Sequence, residues 1–429
     1  FSLLLDAVAE TQQRCAVFLD PRHSSFAREA VRRVWNQHHQ SISAADTLYV
    51  HHVVVGFGHQ GLVAADQLVP GAATTRYKRF DETLADKSYI VDLLEGEFKE
   101  IAAVHREDIP SLGIGDDDTI FVSLCRISDR LISVVAKHAV GRELVVRQFG
   151  LGEDCSKGIS DMMSRSTMRL QDPDEPQPCI PGSICELVGN VLALVSEVAN
   201  SLPVARIVLH AEPLLRAIPW QWLILKAKRF GTGIQPIVWI GSGVQRASRI
   251  SQAVEASQGP ERQVMLELDD EICDQLSTAM RYLAAPTYGR MLSVLAHGEL
   301  RNGQVRMTCQ DVDTKLKDER NKKHNLVVLH SCFGLASKEN PLGEMGGLVG
   351  SIFSHGVQTI IASPMPIPAS IDHSPVLALE RELAGKDVTN MPDVESSYRK
   401  AIGTNPLVAL YAFMSDHYSP RIASKSNGL

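Results

Sequence analysis

The chain has 429 residues, of which 44% are hydrophobic and 22% are charged, and its formal net charge is −7. This is the composition of an ordinary globular protein, long enough for two or three domains. No run of about 18 apolar residues is present, so no membrane span is expected, and the negative charge is a weak argument against a nucleic-acid surface.

The cysteines form neither a disulfide framework nor a zinc signature. There are eight, with no C-x-x-C pair, at Cys15, Cys125, Cys155, Cys179, Cys185, Cys273, Cys309 and Cys332. In a chain of this length the pattern fits a reducing compartment, and the cytoplasm is the expected location.

Residues 1–115 are predicted to form a separate, smaller α/β domain. Its predicted elements are a strand, a helix, a second strand and a second helix, at Arg14–Leu19, Ser24–His39, Thr47–Phe57 and Ser88–Val104. His51, His52 and His59 suggest a metal site, but His51 and His52 would point to opposite faces of the predicted strand. Structural histidines are the favoured interpretation.

The second domain is predicted to begin at residue 116 and to end near residue 420, before a short tail, 421–429. Leu112–Asp118, with two glycines and three consecutive aspartates, is typical of a linker. An antiparallel meander then follows, with strands at Thr119–Ile127, Leu131–Lys137 and Glu143–Phe149. Asp172–Pro181 is rich in proline and acidic residues and is predicted to be an exposed loop.

The middle of this domain shows buried elements. Ile184–Ala199 is apolar over most of its circumference, which predicts a helix packed in a core, and Val204–Leu209 is predicted to be a buried strand. Trp220 and Trp222 are expected to anchor the core. The acidic run that starts at Glu267 is typical of a solvated helix start.

Three further short apolar runs, together with Val204–Leu209, predict four neighbouring, mostly parallel strands; the three are Met291–Leu295, Leu326–Leu329 and Val357–Ala362. A crossover helix is expected between the first two, around Asp311–Lys323. Apolar residues at helical spacing from Met345 to Phe353 predict another helix before the third strand.

His297 and Cys332 each follow one of these strands. A free cysteine after an apolar strand is most often a small buried residue, and a lone histidine is more often structural than catalytic. Here both occupy equivalent positions at the ends of consecutive strands, and Gly298 permits close approach of a backbone. Loops at the carboxyl ends of parallel strands form the reactive crevice in open α/β sheets, so the pair is a candidate nucleophile and base.

The residues around this pair resemble the core of CHAT domains, which are cysteine peptidases of the caspase, separase and gingipain clan. The resemblance lies in S-V-L-A-H-G ending at Gly298, in V-V-L-H-S-C-F-G around Cys332, and in the G-E-M-G-G-L-V-G-S-I-F-S-H-G-V-Q-T-I-I-A-S-P that follows. An upstream block around Pro219 and a downstream block, read as a closing helix at 406–413, are similar as well. The chain departs from the family at Phe333, where many relatives have Thr or Ser, and at Met365, where Trp is usual.

The resemblance implies an α/β fold with a caspase-like, mostly parallel sheet and helices on both faces. It also implies a cysteine endopeptidase in which Cys332 attacks the scissile carbonyl, His297 transfers the proton, and the backbone N–H groups of Gly298 and Cys332 hold the oxyanion. A protein substrate and an activating sensor or partner protein are expected, often in immunity or cell death, with no metal or organic cofactor. Residues 1–115 would then be a sensor or a degenerate peptidase-like domain.

Two other interpretations stay open. The first is a catalytically silent scaffold that keeps the fold for protein interactions. The second is a hydrolase that uses Ser331, which is disfavoured because no G-x-S-x-G nucleophile elbow surrounds it.

Overall fold

The computed structural model describes residues 3–5, 21–56, 106–141, 143–152, 155, 158–159, 178, 180–227, 235–241, 245–246, 260–262, 264–268, 274–296, 300–301, 304–305, 324–335, 349, 352, 357–368, 374–415 and 417–422.

One large mixed sheet organises these residues. Its strands, in chain order, are β1 (Thr119–Ser128), β2 (Leu131–His138), β3 (Val145–Gly150), β4 (Arg206–Ala211), β5 (Ile237–Ile240), β8 (Val264–Leu268), β10 (Met291–Ala296), β13 (Leu326–His330), β14 (Thr359–Ala362) and β15 (Ala412–Met414). They form a 10-stranded sheet in the order β3-β2-β1-β4-β5-β15-β14-β13-β10-β8. Most neighbouring pairs are parallel, which confirms the predicted α/β class with a mostly parallel sheet.

Six further short strands form small two-stranded sheets outside it. They are β6 (Gln245–Arg246), β7 (Pro260–Arg262), β9 (Pro286–Tyr288), β11 (Leu300–Arg301), β12 (Gln304–Val305) and β16 (Arg421–Ile422). The pairs are β11 with β12, β16 with β6, and β7 with β9.

The large sheet contains two parallel blocks that run in opposite directions, and β2 and β3 extend it beyond β1 as antiparallel strands. Strands β1, β4, β5 and β15 are parallel to one another, and so are β14, β13, β10 and β8. The blocks meet where β14 pairs with β15 in the antiparallel sense. The carboxyl ends of β10 and β13 therefore lie at the same edge of the sheet, opposite to the carboxyl ends of β1 and β4.

Helices cover both faces of the sheet, as predicted. They are α1 (Pro21–His38), α2 (Ala44–Gly56), α3 (Gly182–Ala199), α4 (Pro213–Arg216), α5 (Trp220–Ala227), α6 (Asp274–Leu283), α7 (Pro375–Leu383) and α8 (Met391–Thr404). Alternate residues of β1 separate the faces: Phe121 shares a core with α1, α2, α7 and α8, whereas Val122 shares another with α3 and α5. Trp220 and Trp222 are buried in the second core, as expected.

The segment predicted as a strand at Thr47–Phe57 is instead helix α2, so that prediction is wrong. Val50 and Val53 to Val55 have strand propensity, but they are buried in a core shared with the sheet, and a continuous apolar run does not distinguish a strand from a buried helix. The overlooked signal is Ser43, whose hydroxyl accepts a hydrogen bond from Asp46 N at 3.1 Å, as a helix N-cap does.

The two N-terminal helices pack directly on the sheet. Val31 and Trp35 of α1 and Leu48 of α2 are buried in the same core as Phe121. The predicted helix Ser24–His39 is confirmed as α1, whereas the predictions for Arg14–Leu19, Ser88–Val104 and His59 lie outside the described residues.

The segment read as a linker is tied to the end of the chain. Gly113 N donates to Arg421 O at 3.0 Å, and Arg421 N donates to Gly113 O at 2.8 Å. Leu112 and Ile114, on either side, are buried in the core. Paired backbone groups and buried side chains therefore fix these residues of the predicted linker.

The closing helix expected at 406–413 is also wrong. A short 3-10 helix, Pro406–Leu410, is capped by the Asn405 side chain, and the chain then enters strand β15. Leu407 to Leu410 are buried, but five residues do not complete two helical turns before the backbone pairs with β14 and β5.

The insertion of β15 and β5 separates β4 from β14, so the four strands predicted as neighbours share one sheet without all being adjacent.

Two further predictions concern a solvated helix start at Glu267 and the absence of a membrane-spanning segment. Glu267, expected at a solvated helix start, lies in strand β8 opposite Leu295. Helix α3 is the one helix in the described part of the chain that is long and apolar enough to span a membrane by length and composition. Eight of its residues, including Leu187 and Val191, are instead buried in the protein core.

Candidate functional site

Cys332 lies in a tight turn that follows β13. The turn, residues 331–335, begins one residue after the strand ends at His330. Phe333 has φ 59°, in the left-handed region, which costs a side-chain-bearing residue about 1–3 kcal/mol. A Cβ on Gly334 would lie 2.9 Å from Leu329 Cδ2, so a glycine is needed for the chain to turn this closely.

The segment after β14 holds this turn in place. Phe333 N donates to Met365 O at 3.2 Å, and Leu335 N donates to Ser363 O at 3.0 Å. A backbone hydrogen bond thus joins Phe333 and Met365, the two positions at which the sequence departs from the pattern that it resembles. Both side chains are buried.

The thiol of Cys332 rests against the same segment. Ile367 N donates to Cys332 Sγ at 3.4 Å, and the Sγ–Ile367 O distance is 3.9 Å. Cys332 is partly exposed, in contrast to Cys125 and Cys155, which are buried. Residues 363–367 thus form a strap that contacts one side of the sulfur.

Burial is the main influence on the thiol. Desolvation raises the pKa of Cys332, while the N–H groups of Ile367 and of Cys332 itself act in the opposite direction. This raised pKa disfavours the nucleophilic thiolate, so a base or a conformational change is needed to produce it.

The proposed partner follows the adjacent strand. His297 and Gly298 lie outside the described residues, whereas Ala296, immediately before them, is the last residue of β10. Strands β10 and β13 are parallel, and their register pairs Leu295 with His330. His297 and Cys332 each follow their member of that pair by two residues in the sequence, and the described ends of the two strands lie at the same edge of the sheet.

A second histidine near Cys332, His330, is unsuitable as the base. Its ring is buried, with Nε2 2.6 Å from Glu380 Oε1 and Nδ1 2.9 Å from the hydroxyl of Tyr411. Both ring nitrogens are occupied by protein partners, so neither faces Cys332 as a proton acceptor.

Ser331 is equally unsuitable as a nucleophile. Its side chain is buried, and its hydroxyl donates to Cys332 O at 3.1 Å. A serine nucleophile needs an exposed oxygen beside a base, so the structure agrees with the absence of a nucleophile elbow.

The other block of the sheet holds a buried polar cluster that sequence reasoning did not identify. Cys125 Sγ donates to Glu212 Oε1 at 3.3 Å, and Glu212 also binds Arg126 and, at 3.3 Å, Arg32 of α1. Desolvation, followed by the charge of Glu212, raises the pKa of Cys125. This thiol is buried and neutral, so the cluster is structural.

His51 and His52, favoured above as structural histidines, do not lie in the predicted strand. They are consecutive residues of helix α2 and not of a strand, and both are buried. His51 Nδ1 and His210 Nδ1 each lie 3.0 Å from the hydroxyl of Ser123 on β1. Desolvation lowers the pKa of His51 to about 3 and that of His52 to about 4. Within the described ranges, no group of three or more His, Cys, Asp or Glu side chains could hold a metal ion.

No family model matches the chain, and no curated protein does. Two similar solved structures are both described as the separase–securin complex of Saccharomyces cerevisiae. One gives a TM-score of 0.47 at 8% identity and the other 0.45 at 9%. The matches cover 94% and 98% of this chain but only 36% and 37% of those chains, so this chain spans little more than a third of their length.

Proposed function

We propose that this chain is a cysteine endopeptidase in which Cys332 is the nucleophile and His297 the general base and acid. The observation that carries the proposal is the partly exposed Cys332 thiol in a constrained turn at the end of β13, beside the strand that leads to His297. The resemblance of both strand ends to CHAT domains supports the same assignment.

The chemistry follows from these positions. His297 accepts the thiol proton, and Sγ forms a bond to the scissile carbonyl carbon. Backbone N–H groups of Gly298 and Cys332 stabilise the resulting oxyanion. The carbon–nitrogen bond then breaks, and the amine leaves with the proton from His297. Water, deprotonated by His297, hydrolyses the thioester, releases the carboxyl product and restores the thiol.

The raised pKa of Cys332 adds a requirement for activation. Desolvation disfavours the nucleophilic thiolate, so a substrate, ligand or partner protein that moves the strap at residues 363–367 and opens the thiol to solvent would increase its reactivity. This fits the activating sensor or partner expected from the CHAT resemblance, in an immunity or cell-death setting.

The same observation favours the second candidate, a catalytically silent interaction scaffold. A thiol held against backbone groups and kept protonated is compatible with a structural role. The retention of both His297 and Cys332 favours the peptidase.

The test is cleavage of a positional-scanning library of internally quenched peptides by the whole chain. We expect a set of cleaved sequences, with kcat/KM reduced about a thousand-fold or more in Cys332→Ala and nearly as much in His297→Ala. Ser331→Ala is the matched control and should retain cleavage. Equal cleavage by Cys332→Ala and wild type would contradict the assignment.

A further inference from the structure

A hydrogen-bonded chain of buried polar side chains includes His330, the residue immediately before the Cys332 turn. The hydroxyl of Ser293 on β10 donates to Glu380 Oε1 at 2.8 Å, and the same oxygen lies 2.6 Å from His330 Nε2. His330 Nδ1 in turn lies 2.9 Å from the hydroxyl of Tyr411. These four residues come from β10, α7, β13 and the segment that precedes β15.

Every member is shielded from water. The side chains of His330 and Glu380 are 0% and 1% exposed, and Ser293 and Tyr411 are fully buried. A carboxylate at such a site is costly unless hydrogen bonds compensate it, so its presence fixes the geometry of its partners. None of the four groups can move without leaving Glu380 or His330 with a broken hydrogen bond.

This buried chain acts on the last residue of β13. His330 is held on both ring nitrogens, it pairs with Leu295 of β10, and the turn that carries Cys332 starts at the next residue. The turn itself contains the strained Phe333. A strained turn keeps its conformation only when the surrounding residues fix it. The Glu380–His330 contact fixes the strand end at which this turn starts.

We propose that Glu380 and His330 are positioning residues for Cys332. They hold the end of β13 in place, and the thiol therefore stays in contact with the strap. The inference rests on the proposed peptidase function for its kinetic consequence. Its structural consequence, the accessibility of the thiol, is independent of that function.

The experiment measures alkylation of Cys332 by iodoacetamide at pH 8, followed by mass spectrometry of the Cys332 peptide, with the exposed Cys185 as internal reference. In Glu380→Gln we expect Cys332 to react about three-fold faster or more, because the loosened turn leaves the strap, while Cys185 is unchanged. We also expect kcat to fall about ten-fold with KM changed less than about two-fold, since the nucleophile is displaced and the substrate contacts are retained.

The double variant distinguishes a shared restraint from two separate effects. His330→Gln alone and Glu380→Gln alone should each accelerate alkylation, and the double variant should match the larger single effect and not their product. Ser123→Ala, which disturbs a buried hydrogen-bond chain in the other block of the sheet, is the control and should leave Cys332 alkylation at the wild-type rate.

Folding is checked first by circular dichroism. If Glu380→Gln does not fold, Tyr411→Phe removes only one hydroxyl from the chain and should accelerate alkylation about two-fold. A folded variant with the wild-type rate of Cys332 alkylation would overturn the proposal, even if its melting temperature falls. Accelerated alkylation in a protein that cleaves no peptide would uphold the positioning role and contradict the peptidase.

Discussion

The backbone nitrogen of Ile367 donates a hydrogen bond to the sulfur of Cys332 at 3.4 Å. This contact joins the candidate nucleophile to the strap that follows the neighbouring strand β14, and it places a backbone donor beside the position where thiolate charge would develop. The thiol nevertheless has a raised pKa, because its burial outweighs the effect of the donor.

The first prediction concerns the pH dependence of Cys332 reactivity. Because desolvation raises its pKa, the thiolate of the resting protein should appear only as the pH rises above the ordinary thiol value of about 8.5. Iodoacetamide alkylation of the Cys332 peptide, measured from pH 6 to 10.5, should therefore have its midpoint above that value. A midpoint below pH 8 would show that the thiol is already activated.

The second prediction concerns a buried ion pair that joins β4 to α8. Arg206 donates to Glu395 through Nε at 2.7 Å and through a terminal nitrogen at 2.9 Å, and Trp239 Nε1 donates to the same carboxylate at 2.8 Å. Arg206→Met removes the two shortest ionic contacts of the buried Glu395, which among the described residues keeps only Arg399 at 4.0 Å, and should lower the free energy of unfolding by about 3 kcal/mol in urea titrations.

The exposed pair Arg147 and Glu197 provides the control for that measurement. Their side chains are 48% and 51% exposed, so Arg147→Met should change the free energy of unfolding by less than about 1 kcal/mol. Similar losses in the two variants would mean that burial does not determine the contribution of Arg206.

The third prediction concerns Gly289, two residues before β10. It has φ +80°, and a Cβ there would lie 2.5 Å from Thr389 Cγ2. Gly289→Ala should lower the free energy of unfolding by more than about 1 kcal/mol, because the backbone conformation is strained for alanine and the space is filled. The strand that this glycine introduces leads to His297, so peptide cleavage should fall as well.

Gly403 in helix α8 is the matched control, since no atom lies within 4 Å of a Cβ at that position. Gly403→Ala should increase the free energy of unfolding by about 0.5–1 kcal/mol. Opposite signs for the two substitutions are expected in the same chemical denaturation assay.

The fourth prediction concerns the N-terminal helices. Trp35 of α1 is 1% exposed and makes an edge contact with His51 of α2, with ring centroids 5.4 Å apart. Trp35→Ala should lower the free energy of unfolding by about 3–5 kcal/mol, because it leaves a large cavity between these helices and the sheet.

The same variant tests whether residues 1–115 act on the candidate site. We expect this region to influence the active-site loops and to supply no catalytic group. At a temperature where Trp35→Ala remains folded, peptide cleavage should change in rate or in its dependence on an activator. A folded variant with both properties unchanged would contradict that role.

The sequence was sufficient to predict the strands that position the site. Strands β10, β13 and β14 are short, apolar runs bounded by polar residues, and a strand buried on both faces requires that pattern. The same reasoning failed at α2, because a longer apolar run fits a buried helix equally well. It also failed at β15, which has only three residues. Such a short segment is a strand because it pairs with β14 and β5, and its local sequence does not show this.

The buried hydrogen-bond chain that includes His330 and Glu380 could not be predicted from the local sequence pattern. Glu380 and His330 are 50 residues apart in the sequence, and their contact depends on how α7 packs on the sheet. One signal was present: Glu380 interrupts the apolar face of α7 that includes Val376 and Leu383, both buried. A charged residue on a buried helix face requires a partner, but the sequence alone does not identify it.

The central claim is that Cys332 is a nucleophile served by His297. Its most direct test is incubation of the whole chain with a library of peptidyl acyloxymethyl ketones, followed by mass spectrometric location of the adduct. The account predicts a single thioether at Cys332, at least about ten-fold slower to form in His297→Ala and unaffected in Ser331→Ala. An adduct at another residue, or one at Cys332 that forms equally fast without His297, would contradict it.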